Sequence, residues 1–265
     1  MTKQEVRSST MHLVVVGSGT GIPLADRASP ALVFYTGAGP VLFDAGPGTC
    51  RQLARLGIPY DRIGQIFLTH FHPDHTADLI HFLFATRYPP VLRKRDPFML
   101  VGPDGLAAFL MKLQKAYGTW IHIPPGIMTV EELSIQKPEK RTYALFELHS
   151  QPLKHTAQSL AYRVKSPEGK SFVYSGDTGF CQEMVDFARK ADLLILECSL
   201  PEGGAVEEHL TPSQAGRIAA LAGVPRLVLV HFYPEVLETD IARECRKVYA
   251  GELILAQDLL HLSLV

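Results

Sequence analysis

Cysteine is scarce. The four residues, Cys50, Cys181, Cys198 and Cys245, lie far apart with no Cys-x-x-Cys pair, which excludes both a disulfide framework and a thiolate zinc cluster. Neither sign of charge is in excess: Lys plus Arg number 26 against 27 for Asp plus Glu, and the net charge of -1 offers no global field for nucleic acid or anionic lipid. An anionic substrate must therefore be held by a local site. No apolar run approaches the roughly 18 residues of a membrane helix, and no basic-then-apolar leader opens the chain, so a cytoplasmic protein with no membrane partner is expected. Hydrophobic residues at 46% and charged residues at 20% exclude a disordered or fibrous chain.

What the sequence does have is histidine. Of eleven, three fall within six positions, as His70, His72 and His75. The surrounding chain reads as strands first and βα alternation later, twice over. His12 to Val16, Ala31 to Tyr35 and VLFDAG are strand-like, the last two joined by a Gly-Pro turn. Thr49 to Gly57 has helical spacing, Gln65 to Thr69 is a buried strand running into the histidines, Ala77 to Thr86 reads as a helix, FMLVG as a strand and Leu106 to Ala116 as a helix. In the second half YALFELHS, LAYRVKS and SFVYSGD are strands, the last two joined by a turn at Pro167 to Lys170. Phe180 to Lys190, a helix capped at Thr211, and Leu237 to Tyr249 alternate with the strands DLLILE, RLVLVHF and ELILA. This order predicts an α/β fold, an αββα sandwich of two mixed β-sheets flanked by helices, spanning 1-265 as a single domain. Thr86 to Pro97 and Tyr117 to Met128, both Pro-rich, read as loops able to overhang a site.

His70, His72, Asp74 and His75 spell His-x-His-x-Asp-His. Residues two apart in an extended segment share a face, so His70 and His72 can grip one cation while Asp74 and His75, at the turn into the next helix, hold a second. His155, Asp177 and His231 each follow a strand-like run and would converge with the motif on one rim. The ligand count then gives His70, His72 and His155 to one ion, Asp74, His75 and His231 to the other, and Asp177 to both. Imidazole with carboxylate suits Zn²⁺, with Mn²⁺ or Fe as alternatives.

These motifs, with GSGTGIP and Arg27 near the start, FDAGPGT around Asp44, SGDT and LVLVHF, resemble the metallo-β-lactamase superfamily, in the branch that contains ribonuclease Z and related phosphodiesterases. The resemblance runs nearly end to end. It implies the metallo-β-lactamase fold, two divalent metal ions, support of the ligands by Asp44 from behind, and a homodimer. It also matches Glu197 in LILECS and His209 in EHLTPSQAG to a carboxylate and a general acid, which makes Asp74, Glu197 and His209 the catalytic set. Leu210 stands where the family has Ser. The expected chemistry is hydrolysis of a phosphodiester, a small molecule or RNA, by a di-metal-activated hydroxide while His209 protonates the leaving oxygen.

Between LAYRV and SGDT the common bacterial ribonuclease Z inserts a long Gly/Pro-rich arm that grips tRNA; here a tight turn replaces it. A small-substrate phosphodiesterase is therefore preferred to a tRNA 3′-processing endonuclease, the second reading, although the basic run Arg87, Arg93, Lys94, Arg95 could partly replace the arm. A glyoxalase II-like thioesterase shares the histidine motif but has no use for Glu197 and His209. A non-catalytic metal-stabilised scaffold should have lost ligands, and none is missing.

Overall fold

The computed structural model describes residues 11–204 and 206–264. Two seven-stranded mixed sheets pack face to face with helices outside both, the αββα arrangement the strand order predicts. The first sheet comprises β1 (Met11–Gly17), β2 (Ala31–Thr36), β3 (Gly39–Phe43), β4 (Gln65–Phe67), β5 (Phe98–Pro103), β6 (Met128–Leu133) and, at its far edge beside β1, β14 (Leu260–Leu264). The second runs β13 (Glu252–Leu255), β12 (Arg226–Val230), β11 (Leu193–Glu197), β10 (Ser171–Tyr174), β9 (Leu160–Lys165), β8 (Phe146–Pro152), β7 (Glu139–Tyr143). Helices α1 (Thr49–Arg55), α2 (Pro73–Thr86), α3 (Pro89–Leu92) and α4 (Leu106–Tyr117) belong to the first half, and α5 (Gln182–Ala188), α6 (Pro212–Ala222), α7 (Pro234–Leu237) and α8 (Ile241–Arg246) to the second.

Both faces of the central strands are covered, which is why they read as unbroken apolar runs rather than alternating ones. Along β3, Val41 and Phe43 face the core between the sheets while Leu42 faces the helices. Along β12, Val228 and Val230 point in while Leu227 and Leu229 meet the other helical layer. Phe43 stacks on Phe67 at 5.1 Å between ring centroids and meets Phe172 of the opposite sheet edge-on at 5.9 Å. Each such fully buried ring contributes roughly 2–3 kcal/mol of apolar burial, so this cluster locks the two sheets in register.

The local differences from the sequence reading have physical reasons. Helix α2 starts at Pro73, not Ala77, because proline's fixed φ suits the first helical position, so Asp74 and His75 lie within its first turn. The expected strand YALFELHS is a hairpin: β7 and β8 pair Tyr143 opposite Phe146 across Ala144 and Leu145. The expected helix 237–249 breaks into α7 and α8, because the Asp240 side chain accepts the Arg243 amide at 3.0 Å and starts a new helix. Edge strands β6 and β14 were not anticipated; β6 carries Glu131 and Glu132 on an open edge, which hides its strand pattern. The 86–97 loop contains α3, and the 117–128 loop opens with a 3-10 turn at Gly118–Ile121. Among the described residues no helix is long and apolar enough to cross a membrane.

Candidate metal centre

Strand direction decides where the site forms. β3 and β4 are parallel, as are β10, β11 and β12, so the C-terminal ends within each set share one edge. Asp44 follows β3, His70 and His72 follow β4, Asp177 follows β10, Glu197 ends β11 and His231 follows β12. β8 is antiparallel to β9 and β9 to β10, so β8 also ends at this edge and delivers His155 there. The backbone bends sharply at two of these exits: Asp44 has φ 57° and His231 φ 63°, left-handed conformations that cost a non-glycine residue about 1 kcal/mol or more and aim the side chain back into the cluster.

The seven histidines and aspartates meet in two groups. His70, His72, His155 and Asp177 offer ligand atoms that all lie within 4.8 Å of one another, and so do Asp74, His75, Asp177 and His231. Asp177 faces both. Its Oδ1 is 3.1 Å from His75 Nε2 and 3.3 Å from His231 Nε2, while Oδ2 is 3.6 Å from His155 Nε2 and 3.8 Å from His70 Nε2. Asp74 Oδ2 is 3.4 Å from His231 Nε2, and His72 Nδ1 is 3.1 Å from His155 Nε2. A tetrahedral ion bonded to nitrogen at about 2.0–2.1 Å sets its ligands about 3.3 Å apart, so these spacings fit a cation in each group.

The back sides of the rings are committed, which frees the inward nitrogens. Buried Asp44 accepts the His75 Nδ1–H at 2.8 Å, the Thr69 amide at 2.8 Å, the Thr69 hydroxyl, and the Tyr174 hydroxyl at 2.9 Å. Thr69 in turn accepts the His70 Nδ1–H at 3.0 Å. His155 donates Nδ1–H to the Glu208 carbonyl at 3.0 Å, and His231 donates its own to Ser199 Oγ at 2.8 Å. His70 Nε2, His75 Nε2, His231 Nε2 and Asp177 Oδ1 are buried with no hydrogen-bond partner. Four orphaned polar atoms facing one another are costly unless a cation satisfies them, and the donor set fits divalent metal ions.

The titration pattern agrees. Burial pushes His70 well below the usual histidine range, with neighbouring His75 adding to the effect, and burial with His155 lowers His72. Burial opposes charge on His75 too, but Asp177 and Asp44 outweigh it and raise its pKa well above the usual value. For Asp177 burial works upward, yet His231 and His75 hold its carboxyl well below the carboxylate range. Two buried carboxylates thus demand positive charge at this point, which a divalent cation supplies as well as a proton does.

Beside the cluster, Glu197 is fully buried and saturated: Oε1 accepts from the Thr178 amide at 2.8 Å and His209 Nδ1 at 2.9 Å, and Oε2 from Ser199 Oγ at 2.5 Å and the Leu210 amide at 3.1 Å. The His209 ring packs 4.8 Å from His155 and 5.7 Å from His231. Burial disfavours its charge, but the Glu197 hydrogen bond and charge override this and raise its pKa to about 9. Leu210 in the family's Ser position leaves this pair intact, since its contribution here is the backbone amide.

Sequence reasoning missed Thr69, Tyr174 and Ser199, the groups that orient the ligands; Thr69 abuts the motif in LTHFH and Ser199 follows Glu197 in ECS, but their role depends on which strands are neighbours. One candidate is corrected. Arg95 is not available to substrate: it is buried, donates to the carbonyls of Tyr60 and Ile63, and lies over Phe82 and Phe98 at 5.0 and 4.1 Å. Arg87 is also engaged, bonded to the His122 carbonyl.

Comparison with known proteins defines the class. The family model "Beta-lactamase superfamily domain" matches residues 40–232, and the chain belongs to this superfamily, in its metallo-β-lactamase form. It is 31% identical to a ribonuclease Z of Ignicoccus hospitalis over 83% of this chain and 87% of that one. Among solved structures, human tRNase Z, short form, superposes with a TM-score of 0.74 at 25% identity, covering 95% of this chain and 98% of that one. The metallo-beta-lactamase fold protein YhfI of Bacillus subtilis superposes with a TM-score of 0.84 at 24% identity over 96% and 100% of the two chains. Within the superfamily the chain stands in the ribonuclease Z-like branch and is a metal-dependent hydrolase.

Proposed function

We propose that the protein is a phosphodiesterase that uses two divalent ions, zinc by the imidazole-rich donor set. His70, His72 and His155 would hold one, Asp74, His75 and His231 the other, and Asp177, with an oxygen toward each group, both. Bound ions of this kind lower the pKa of a coordinated water towards neutrality and neutralise phosphate oxygens. Against the effect of burial, the neighbouring His231, 3.4 Å from Oδ2, and His75 hold the Asp74 carboxyl below its ordinary range; more open than Asp177 at 14% against 3% exposed, it remains a carboxylate that steers the attacking water.

The single observation that carries the reading is the Glu197–His209 pair. A carboxylate with every lone pair engaged holds His209 by Nδ1, keeps its proton on at neutral pH and leaves Nε2 to face the departing group. Expelling an alkoxide from a phosphodiester needs such a donor; a thioester, with its good leaving group, does not. A small substrate is supported by the β9–β10 connection, where the Ser166 amide bonds the Lys170 carbonyl at 2.8 Å and the Gly169 amide the Ser166 carbonyl at 3.0 Å. This five-residue turn has no room for a tRNA-gripping arm, which favours small diesters. The names of the ribonuclease Z relatives favour tRNA 3′ processing as the second reading.

The test is hydrolysis of bis-p-nitrophenyl phosphate with about two equivalents of metal. Full activity after chelation, or an unchanged rate in His209→Ala on a diester with a poor leaving group, removes the proposal. Precursor tRNA carrying a 3′ trailer tests the second reading, and no cleavage where an arm-bearing enzyme works dismisses it.

A further inference from the structure

Away from the rim, in the helical layer outside the first sheet, three further donors of different kinds meet. Cys50 is the second residue of α1, and Asp78 and His81, three residues apart, share a face of α2. One ligand atom from each lies within 4.8 Å of those of the other two. None of the three belongs to the metal centre at the strand ends, and none takes part in the chemistry proposed for it. A tetrahedral ion with sulfur at about 2.3 Å and nitrogen or oxygen at about 2.0–2.1 Å sets its donors about 3.3–3.6 Å apart. The exposed His81 side chain can swing to close the difference.

The other two donors are already held in place. The Cys50 amide donates to Asp78 Oδ2 at 2.8 Å, and the thiol points at the Asp78 carbonyl 3.8 Å away. The Asp78 amide donates to the Ala45 carbonyl at 2.9 Å, and the Ala45 amide to the His75 carbonyl at 2.8 Å. α1, α2 and the turn that follows Asp44 are thereby joined at this one point.

Charge is out of balance there. Among the described residues no Lys or Arg lies within 4.0 Å of the Asp78 carboxylate, which is half-buried. Burial pushes the Cys50 thiol up to about 12, and the charge of Asp78 adds to the effect. A thiol and a carboxylate side by side, with an imidazole in reach, favour a bound cation, which in turn draws the proton off the sulfur.

We propose that Cys50, Asp78 and His81 form a separate site for one thiophilic divalent cation, zinc by its donor set, with solvent in the fourth position. The single thiolate sets its selectivity: sulfur favours Zn²⁺ over Mn²⁺ and Mg²⁺, whereas the histidine and aspartate centre contains no sulfur. On binding, the Cys50 S–H bond gives way to a sulfur–metal bond and the proton passes to solvent. Asp78 stands four residues beyond Asp74, about 6 Å along the α2 axis, so the ion clamps α1 to the helix whose first turn carries Asp74 and His75. It braces that turn and takes no part in hydrolysis.

Because the strand-end centre has no sulfur, thiolate-to-cobalt charge transfer in the near ultraviolet reports the new site alone. The full-length protein, reduced and stripped by chelation, is titrated with Co²⁺. Expected is an intense near-ultraviolet band that saturates at one equivalent per chain and is accompanied by proton release. Cys50→Ser and His81→Ala should each abolish it, while Cys181→Ser, which changes the other partly exposed cysteine, should leave it intact. Zinc bound at saturation should fall by one equivalent in Cys50→Ser with bis-p-nitrophenyl phosphate hydrolysis unchanged, and the gain in Tm on adding zinc should shrink. A band that is missing, that survives Cys50→Ser or His81→Ala, or that disappears in Cys181→Ser overturns the site. So does a zinc stoichiometry equal in the parent chain and Cys50→Ser. Each of these results leaves the phosphodiesterase reading standing, because chelation and diester hydrolysis test that reading separately.

Discussion

Replacing Asp44 by Asn removes one charge and changes one atom, yet four donors depend on it. Asp44 accepts from Thr69 N, Thr69 Oγ1, Tyr174 OH and His75 Nδ1, all buried. An amide has one acceptor oxygen. With its nitrogen at the Oδ2 position it confronts the Tyr174 hydroxyl and His75 Nδ1–H; with the nitrogen at Oδ1 it confronts the Thr69 amide. Either orientation leaves a buried donor against a donor, which costs about 1–3 kcal/mol, or a fall in Tm of about 2–4 °C per kcal/mol for a chain of this size. His75 can relieve the clash only by moving its proton to Nε2, the nitrogen 3.1 Å from Asp177 Oδ1, and so withdrawing that lone pair from the cluster. Metal affinity should therefore fall about 10–100-fold, the usual effect of losing a group that orients a ligand histidine. Competition with a chromogenic chelator measures the affinity, and rates at saturating metal separate occupancy from chemistry. If Asp44→Asn binds metal within twofold of the parent chain, the argument that this carboxylate fixes the His75 tautomer is wrong.

Further expectations concern the same edge. Glu197→Gln removes the charge that raises the pKa of His209 to about 9 against burial, so the proton is lost at lower pH and the alkaline limb of kcat/KM should move down, with the acid side unaffected; a pH profile showing no shift of that limb refutes the pairing. Gly176→Ala places a Cβ 2.7 Å from Thr69 Cβ at φ 58°, so a loss of about 2 kcal/mol or more and weaker metal retention are expected, read by thermal melts and metal content. Chelation should lower Tm, because ions at a hundredfold excess over Kd stabilise the folded chain by about 2.7 kcal/mol; a melt indifferent to chelator excludes ions from the cluster.

Much of the layout is legible in the sequence because its signals are local. The His-x-His-x-Asp-His spacing names four members of the cluster, and unbroken apolar runs such as RLVLV announce strands covered on both faces. Capping at Thr211 is equally local, and the side chain and Gln214 form the reciprocal pair. Elements whose signal is weak or interrupted were not legible: β14, whose leucines alternate at the end of the chain, becomes a strand only because β1 offers it a partner, and YALFELHS splits because Tyr143 and Phe146 pair across a two-residue turn.

The amino-acid order alone determined the donor set, the two-sheet architecture and the absence of an arm, since each is written in contiguous residues whose spacing has one physical reading. Only the tertiary structure decided that parallel strand ends bring His155, Asp177 and His231 to the motif, that Thr69, Tyr174 and Ser199 fix which nitrogens face inward, and that Arg95 is buried. Contact between residues far apart in the chain depends on which strands become neighbours, and that is set by the packing of two whole sheets rather than by any one segment.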